Sequence, residues 1–372
     1  MKTARLIVAE SEHDADMLYA VGMFVPDPFI YFEIGGKTYA VLSDLEIDRA
    51  RKQANIDHVL SLSRYQKALK KAGVVAPRLS DVVNRVLREF RVRAVDVPCT
   101  FPLGLAQRLR GIRVKVKRGP FFKDREIKTA DEVRKISEAL GLAEQGMQAA
   151  IKVLRAARIG RDGFLWQRGD KLTSEHIQGV INAAIAVLGG TANHTIVACG
   201  NQGCDPHEAG HGPLKAHRPI ILDIFPRDAR TGYWGDITRT VVRGRASEPV
   251  KALYATVAKG QEIAFQKLRD GVNSQDIHEA VHASFRKAGF VTRRRGGRMQ
   301  GFFHGTGHGL GLEIHELPRV SSVDVTLRAG NVVTVEPGLY YWGIGGVRLE
   351  DVALIQARGV RNLTTFPKVL EI

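Results

Sequence analysis

The segment TADEVRKISEALGLAEQGMQAAIKVL, residues 129–154, predicts a long helix, and the order of elements that begins with this helix indicates the fold. Thr129 and Glu132 have the spacing of a helix capping box, and apolar residues then recur at helical intervals. A second helical pattern covers residues 173–188 and stops at two glycines. Alternating β-like segments follow from 194 to 243, so this half reads as two helices and then antiparallel strands.

The same order of elements recurs in the rest of the chain. Helical patterns cover residues 247–270 and 274–288, and β-like segments extend from about 301 to 370. Two halves with one plan predict an α+β domain of pseudo-twofold symmetry, in which two helix pairs back one curved antiparallel sheet. We assign residues 126–372 to this domain.

Residues 1–125 predict a separate, smaller α/β domain. The stretch FIYFEIGGKTYAVLS, residues 29–43, is typical of a β-hairpin with a Gly-Gly turn. Helical patterns follow at 45–53, 64–72 and 80–90, and no catalytic constellation accompanies them. A chain of 372 residues is also longer than one hydrophobic core usually supports, which favours two domains.

The composition is that of a soluble globular protein, with 44% hydrophobic and 25% charged residues. No apolar run is long enough to cross a membrane, and the N-terminal segment turns acidic before a signal-peptide core could form. The three cysteines form no Cys-x-x-Cys pair and no even disulfide framework. We therefore expect a cytoplasmic protein with reduced thiols and no membrane partner.

The net charge of +16 permits binding to nucleic acid or to another acidic surface. The densest basic runs are RGIRVKVKRG, residues 110–119, and TRRRGGRMQG, residues 292–301. Neither run interleaves aromatic residues with its cations, as a stacking platform for single strands does. We read both as solvated basic surfaces and do not expect a nucleic-acid partner.

Four acidic residues interrupt or end apolar, strand-like segments of the larger domain: Asp223, Asp236, Glu336 and Glu350. Each alone could be a solvated or salt-bridged acid, but a carboxylate buried at such a place needs a cation or hydrogen-bond donors. With His308 they form a set of one nitrogen and many oxygens, which suits Mn²⁺, Co²⁺, Fe²⁺ or Zn²⁺. Four carboxylates around one ion would repel one another, so the set predicts a hydrolytic centre with two metal ions.

His308 lies in HGTGHGLGLEIH, residues 304–315, where three histidines stand among glycines. The glycines argue against the helical zinc motif and favour a strand or turn. In an extended segment His304 and His308 share a face, and His315 lies on the opposite face unless a bulge intervenes.

Five motifs in order resemble those of the pita-bread metallopeptidases, the family of methionine aminopeptidase, aminopeptidase P, prolidase and creatinase. Two of them, each with one acid, lie in the run from Asp223 to Thr240, and the other three are HGTGHGLGLEIHELP, TVEPG and VRLED. The resemblance implies that Asp223 chelates one ion, that Asp236 and Glu350 bridge two ions, and that His308 and Glu336 complete the other shell. A water or hydroxide between the ions would be the nucleophile.

The resemblance also implies roles for residues around the ligands. Glu336 would shuttle the proton of the attacking water, and His315 would steady the tetrahedral intermediate and the leaving group. His207, in CDPHEAG, would line the substrate pocket. His304 and Arg348 would orient the ligands from behind.

One departure from the family pattern leaves an alternative for the first ligand. The interval from Asp223 to Asp236 is longer than the family's usual spacing, and Asp228 lies inside it. Asp223 ends the apolar strand and is favoured. Because all five ligand types are present, the sequence argues against creatinase and against the family's non-enzymatic members.

The extra N-terminal domain resembles that of creatinase and prolidase, which implies cleavage before proline. We expect an Xaa-Pro dipeptidase or a short Xaa-Pro aminopeptidase, with proline second in the substrate, two divalent ions (Mn²⁺ or Co²⁺, otherwise Zn²⁺ or Fe²⁺) and a homodimer. Arg319 stands where the dipeptidase branch places an arginine near the substrate carboxylate, and Phe302, Phe303 and Tyr340 are candidate walls of the proline pocket. The alternatives are a catalytically silent scaffold that binds nucleic acid or protein, and a hydrolase of a non-peptide amide.

Overall fold

The computed structural model describes residues 2–372, and its contacts divide the chain into a unit that ends at Arg125 and a unit from Glu126 to Ile372. Each unit has its own hydrophobic core. Among residues 2–372, no helix is both long enough and apolar enough to cross a membrane.

The N-terminal unit is a mixed six-stranded sheet with helices. Its strands have the order β4-β3-β2-β1-β5-β6. The predicted hairpin at Gly35 and Gly36 is confirmed by the antiparallel pairing of β2 with β3. The elements are β1 (Lys2–Ala9), α1 (Ala15–Val21), β2 (Phe29–Ile34), β3 (Lys37–Leu42), α2 (Ile47–Gln53), β4 (His58–Ser61), α3 (Leu62–Lys71), α4 (Leu79–Glu89), β5 (Val92–Val97), α5 (Leu103–Ala106) and β6 (Arg113–Val116).

Alternating side chains of this sheet pack into two separate cores. Leu6 and Val8 of β1 pack with Val82 and Val86 of α4. Ile7, between them in sequence, packs on the other face with Met17 of α1. This is the alternation that a strand buried on both faces requires.

The C-terminal unit begins with the two predicted helices and continues with strands, but three short strands that the sequence did not predict lie between the helices. The capping box at Thr129 is confirmed, because Thr129 Oγ1 accepts from Glu132 N (3.3 Å) and Glu132 Oε2 accepts from Thr129 N (2.9 Å). The elements of this half are α6 (Ala130–Ala156), β7 (Arg158–Ile159), β8 (Leu165–Gln167), β9 (Asp170–Lys171), α7 (Ser174–Val187), β10 (Gly190–Thr191), β11 (Ile196–Cys199), β12 (Ile220–Ile224), β13 (Arg227–Asp228) and β14 (Ile237–Val241).

The second half repeats the helix pair and the strands after it, without short strands between the two helices. Its elements are α8 (Glu248–Lys267), α9 (Ser274–Lys287), β15 (Arg293–Arg295), β16 (Arg298–Gln300), β17 (Gly307–Gly309), β18 (Glu316–Val320), β19 (Val332–Val335), β20 (Gly338–Tyr341), β21 (Gly345–Arg348), β22 (Asp351–Ile355) and β23 (Val360–Asn362).

A glycine on the first helix of each pair lets the second helix approach closely. A Cβ on Gly146 of α6 would lie 2.9 Å from Ile185 Cδ1 of α7, and one on Gly260 of α8 would lie 2.5 Å from Phe285 Cε1 of α9. Cores packed at crystal density leave no room for that extra atom. The two halves therefore share a glycine at the contact between their paired helices.

Among the described residues the strands of this unit form six antiparallel sheets, and two of them meet at the middle of the unit, where the sequence predicts one curved sheet. The first half gives the order β11-β12-β14 and the second gives β18-β17-β19-β22-β23. The halves are joined where Glu350 N donates to Thr238 O (3.0 Å) and Arg348 N donates to Thr240 Oγ1 (3.0 Å). The residues that join the halves are neighbours of the predicted ligands Asp236 and Glu350.

Candidate metal centre

Three of the predicted ligands converge in the interior of the C-terminal unit. Ligand atoms of Asp236, His308 and Glu350 all lie within 4.8 Å of one another, and all three residues are buried. Asp236 precedes β14, His308 is the middle residue of β17, and Glu350 lies between β21 and β22. Strands from both halves thus bring the imidazole of His308 and the carboxylates of Asp236 and Glu350 close together.

The other two predicted ligands lie against this group. Glu336 follows β19 directly, and its Oε1 is 3.6 Å from His308 Nε2, which is itself 3.7 Å from Asp236 Oδ2. Asp223, on β12, accepts from Arg348 Nη2 through its Oδ2 (2.6 Å). Its Oδ1 is buried without a hydrogen-bond partner among the described residues. A buried carboxylate oxygen left unpaired is costly, so the site fits a bound cation at Asp223.

The electrostatics of the group also fit divalent cations. Burial, and then the charges of Glu350 and Asp223, raise the pKa of Asp236 well above its usual range. Burial and the neighbouring Glu336 and Asp223 raise the pKa of Glu350 in the same way. Burial likewise raises the pKa of Glu336 to about 7. Carboxylates whose pKa is raised by burial and by one another's charge are those that bound metal ions would hold ionised.

The imidazole of His308 has the neutral form that a metal ligand needs. Burial, helped by the charge of His315, lowers its pKa to about 3. His308 Nδ1 lies 3.1 Å from the carbonyl oxygen of Gly309, which leaves Nε2 toward the carboxylates.

The glycines beside His308 let neighbouring strands approach closely. A Cβ on Gly307 would overlap the carbonyl oxygen of Thr334 in β19, and one on Gly309 would overlap that of Leu317 in β18. The register between β17 and β18 also shifts between His308 and Gly309. This irregularity agrees with the position of His315, whose ring centroid is 4.4 Å from that of His308.

The histidine and arginine expected behind the ligands lie there in a buried hydrogen-bonded chain. Arg348 Nη1 donates to Tyr340 Oη (3.0 Å), and His304 Nε2 lies 2.8 Å from the same oxygen. Burial, with the charge of Arg348, lowers the pKa of His304 to about 3. The neutral ring can therefore accept from or donate to Tyr340 without adding charge.

Tyr340 and Phe302 do not have the place expected of pocket walls. Both side chains are fully buried, Tyr340 in the hydrogen-bonded chain and Phe302 in the core of the second half. Phe303 is half-buried and packs on Tyr340 with ring centroids 5.3 Å apart. The sequence predicted the same role for all three aromatic residues, because the motif does not indicate whether a side chain faces the core or the pocket.

Three polar residues that the sequence analysis did not single out hold the ligands. Thr238 Oγ1 donates to Glu350 Oε2 (2.8 Å), and His308 N donates to Thr334 Oγ1 (3.1 Å). Gln261, buried on α8, donates from Nε2 to the carbonyl oxygens of Val335 (2.9 Å) and Leu349 (3.1 Å). These carbonyls precede Glu336 and Glu350, so one side chain ties both glutamate-bearing segments. The threonines stand inside quoted motifs, but Gln261 is remote in sequence and carried no signal.

The remaining predicted residues lie at the exposed side of the group. Arg319 is opposite His308 in the β17–β18 register, so both side chains are on one face of the pair. Its positive charge opposes the rise that burial causes in the pKa of Glu336, and it adds to the fall that burial causes in the pKa of His308. Burial lowers the pKa of His315, and Arg319 and His207 lower it further. All three, Arg319, His315 and His207, are exposed.

Asp228, the alternative first ligand, has both carboxylate oxygens engaged in its own turn. Oδ1 accepts from Arg230 N (2.8 Å) and Thr231 N (3.0 Å), and Oδ2 accepts from Arg230 Nη2 (3.0 Å). Although burial acts to raise its pKa, these donors lower it. Asp223 alone of the two has a free buried oxygen, which favours it as the ligand.

The chain is similar in sequence to known metallopeptidases and dipeptidases. The family model described as "Metallopeptidase family M24" matches residues 134–357. The chain is 26% identical to the Xaa-Pro dipeptidase of Pyrococcus horikoshii over 345 residues, which are 90% of this chain and 86% of that protein. It is 32% identical to the "Putative dipeptidase YkvY" of Bacillus subtilis over 248 residues, which are 66% of this chain and 62% of that protein.

Solved structures share the fold over the full length. The X-Pro aminopeptidase from Thermotoga maritima superposes with a TM-score of 0.83 at 22% identity, covering 100% of this chain and 98% of that chain. The prolidase from Pyrococcus horikoshii gives 0.79 at 24% identity, covering 99% and 95%. The predicted fold class is thereby confirmed.

Proposed function

The chain belongs to metallopeptidase family M24, and on that premise we propose that it hydrolyses the peptide bond before proline, as an Xaa-Pro dipeptidase or a short Xaa-Pro aminopeptidase. The observation that carries the proposal is the buried group of Asp236, His308 and Glu350, with Glu336 beside it. The relatives named Xaa-Pro dipeptidase support the substrate class.

Dependence on divalent metal is general in this family, and we propose that this chain binds two ions, Mn²⁺ or Co²⁺. Asp223, Asp236, His308, Glu336 and Glu350 would hold them. Ions bound there would lower the pKa of a coordinated water and polarise the carbonyl of the scissile bond. The unpartnered Oδ1 of Asp223 and the mutual repulsion of the carboxylates support this ligand set.

The chain's own residues would then orient substrate and move protons. Glu336, 3.6 Å from His308, would take the proton of the attacking water and return it to the leaving nitrogen. His315, whose ring lies 4.4 Å from that of His308, would donate to the oxygen on which charge develops. His207 would contact the residue before proline.

Arg319 would select short substrates by binding a free carboxylate. It is exposed and lies on the same face as His308, which places its charge at the open side of the group. A guanidinium can pair with a carboxylate through two parallel hydrogen bonds. A prolyl bond has no amide hydrogen, so recognition of proline itself rests on the shape of the pocket.

The activity is tested by incubating the Mn²⁺- or Co²⁺-loaded protein with Ala-Pro, Ala-Pro-Ala and Met-Ala-Ser and following the products by mass spectrometry. We expect cleavage of Ala-Pro that a chelator abolishes. Cleavage of Ala-Pro-Ala would place the chain with the aminopeptidases. Failure to cleave either proline peptide with both metals bound would contradict the proposal.

The role of Arg319 is tested with Ala-Pro and Ala-Pro amide, which lacks the carboxylate. We expect Arg319→Gln to reduce kcat/KM for Ala-Pro on the order of 10-fold or more and to leave the amide nearly unchanged. Arg328→Gln, which removes an exposed arginine elsewhere in the same unit, is the matched control. Equal losses with both peptides would assign Arg319 another role.

The ligand set is tested by metal content rather than activity. We expect Asp223→Asn and Glu350→Gln to lose bound Mn²⁺ in elemental analysis after gel filtration, and Asp228→Asn to keep it. Loss in Asp228→Asn with retention in Asp223→Asn would reverse the assignment. The homodimer stays a prediction, which sedimentation analysis would test.

A further inference from the structure

A short, strongly basic hairpin projects its side chains to solvent in the C-terminal unit. Strands β15 and β16 pair Arg294 with Met299 and Arg295 with Arg298, around a turn at Gly296 and Gly297. All four of its arginines are exposed: Arg293, Arg294, Arg295 and Arg298. Among residues 2–372 none of the four has an ion-pair partner. The hairpin thus holds four uncompensated guanidinium groups.

The fold supplies the aromatic residue that this basic run lacks in sequence. The guanidinium carbon of Arg298 lies 3.7 Å from the ring centroid of Trp342, at the turn between β20 and β21. The Trp342 side chain keeps 36% of its surface exposed. Tyr341, the residue before it, donates from Oη to Val291 O (3.0 Å) and so links this turn to the base of the hairpin.

A cavity with two more basic residues is lined in part by the same turn. It measures about 340 Å³, and Gly343 and Ile344 form part of its lining. The only charged residues that line it are Lys215 and Arg218, both exposed, and Arg218 Nη1 lies 3.5 Å from Gly343 O. No carboxylate lines the cavity.

The cavity is separate from the candidate metal centre. Cys199, in its lining, pairs with Ile220 at one end of β12, and Asp223 pairs with Ile196 toward the other end. Three residues of strand correspond to about 10 Å. None of the five proposed ligands lines the cavity.

We propose that the hairpin, Trp342 and this cavity form a binding surface for single-stranded nucleic acid. This surface, the basic face, consists of Arg293, Arg294, Arg295, Arg298, Trp342, Lys215 and Arg218. Six cations without a carboxylate match the regular negative charge of a phosphodiester chain. Arginine predominates, and its planar fork pairs with phosphate and stacks on bases. The exposed part of the Trp342 indole, over which Arg298 also lies, offers ring surface for a base, and the cavity at the same turn has room for a second group.

Nucleic acid is favoured over an acidic protein segment because the basic face combines guanidinium groups with an exposed aromatic ring. A carboxylate chain would use the charges and gain nothing from the ring. The proposal is independent of the peptidase activity.

The test measures fluorescence anisotropy of fluorescein-labelled dT20 and rU20 from about 50 to 200 mM NaCl, where phosphate contacts respond strongly to salt. The test variant is Arg294→Gln/Arg295→Gln/Arg298→Gln. The matched control is Arg113→Gln/Lys115→Gln/Arg118→Gln, which removes three exposed charges from the other basic run. The two oligonucleotides show whether the face takes DNA, RNA or both.

We expect wild type to bind, and the hairpin variant to bind at least about 10-fold more weakly at low salt. Its slope of log Kd against log salt should fall by about 2, because each phosphate contact to a single strand contributes about 0.7. The control variant should keep both values. Trp342→Ala should weaken binding about 10-fold without changing the slope, since stacking is not electrostatic.

Three results would overturn the proposal. They are no binding at about 50 mM salt, equal weakening in the hairpin and control variants, and competition by polyglutamate as effective as by dT20 at equal charge. Circular dichroism melts and Ala-Pro turnover show whether the variants fold. If the triple variant does not fold, Lys215→Gln/Arg218→Gln tests the same face from its other side.

Discussion

Arg348 and Asp223 form a buried ion pair across the two halves of the C-terminal unit, with Arg348 Nη2 2.6 Å from Asp223 Oδ2. Their side chains are 3% and 12% exposed. Burial acts to lower the pKa of Arg348, but Tyr340 and Asp223 raise it well above its usual value, so the guanidinium stays charged. The pair fixes one oxygen of Asp223 and leaves the other free for a cation.

Replacing Arg348 by Met should therefore leave a buried carboxylate uncompensated. We expect a loss of about 3 to 5 kcal/mol in the free energy of unfolding of the metal-free protein, measured with urea. Arg348→Lys should recover only part of it, because an ammonium cannot reach Asp223 and Tyr340 together. Tyr340→Phe, which changes no charge, should cost about 1.5 to 3 kcal/mol. Equal stability of Arg348→Met and wild type would show that the pair contributes nothing net.

Gln261 connects the segments that carry Glu336 and Glu350 through its two hydrogen bonds to carbonyl oxygens. We expect Gln261→Leu to weaken Mn²⁺ binding about 10-fold in calorimetric titration, because groups that orient ligands contribute on that scale. Gln266→Leu, at an exposed position of the same helix, is the control and should leave the affinity unchanged. If Gln261→Leu bound Mn²⁺ with unchanged affinity, Gln261 would contribute to packing but not to the orientation of the ligands.

Gly307 is required by the close approach of β19 to His308, because any Cβ there would overlap the carbonyl of Thr334. We expect Gly307→Ala to displace His308, to bind less Mn²⁺ in elemental analysis and to lose about 1 to 3 kcal/mol of stability. Gly305→Ala is the matched control, since its Cβ would come no closer than 3.3 Å to Ser321 Cβ and 3.4 Å to Val320 O. Full metal content in Gly307→Ala would mean that β17 can shift without moving the imidazole.

Much of this architecture was readable from sequence because it depends on local patterns. The capping box at Thr129 and the Gly-Gly hairpin use residues adjacent in the chain. The four acids could be found because a charged residue inside an apolar strand is conspicuous. Gln261 and the contact of Trp342 with Arg298 could not be found, because they join distant segments through packing that no local periodicity records.

His278 should make the protein less stable in acid. Its Nδ1 lies 2.9 Å from Thr306 Oγ1, and burial, with the neighbouring His282, lowers its pKa to about 4. In the unfolded chain this histidine has a pKa near 6.5. Between about pH 4 and 6.5 it therefore binds a proton in the unfolded state but not in the native state. Stability is therefore complete above about pH 6.5 and falls as the pH drops toward 4.

The full shift corresponds to about 3 kcal/mol, which partial solvation reduces to about 2 kcal/mol. Urea unfolding at pH 7.5 and at pH 4.5 should show that His278→Asn loses less stability than wild type on acidification. His176→Asn, an exposed helical histidine, should follow wild type. A parallel decline in all three proteins would assign the acid sensitivity to other groups.

Lys128 and Glu316 form a second buried ion pair, with Nζ 2.5 Å from Oε1 and side chains 1% and 8% exposed. Glu316 follows His315 and pairs with Gly309 in the sheet, so the pair anchors the segment that carries His315 toward His308. Lys128→Met should cost about 1.5 to 3 kcal/mol, because the carboxylate of Glu316 loses this charge-assisted hydrogen bond. Lys135→Met, which breaks a more exposed pair with Asp131, should cost less than about 1 kcal/mol.

The double variant Lys128→Met/Glu316→Leu separates anchoring from charge. Because a well-packed apolar pair often replaces a buried ion pair without loss, we expect it to regain most of the stability that Lys128→Met loses in urea unfolding. If the pair also positions His315, the double variant should still turn over Ala-Pro more slowly than wild type, with a lower kcat and little change in KM. Recovery of both stability and kcat would show that the anchor needs only packing, and that His315 is held by its own contacts.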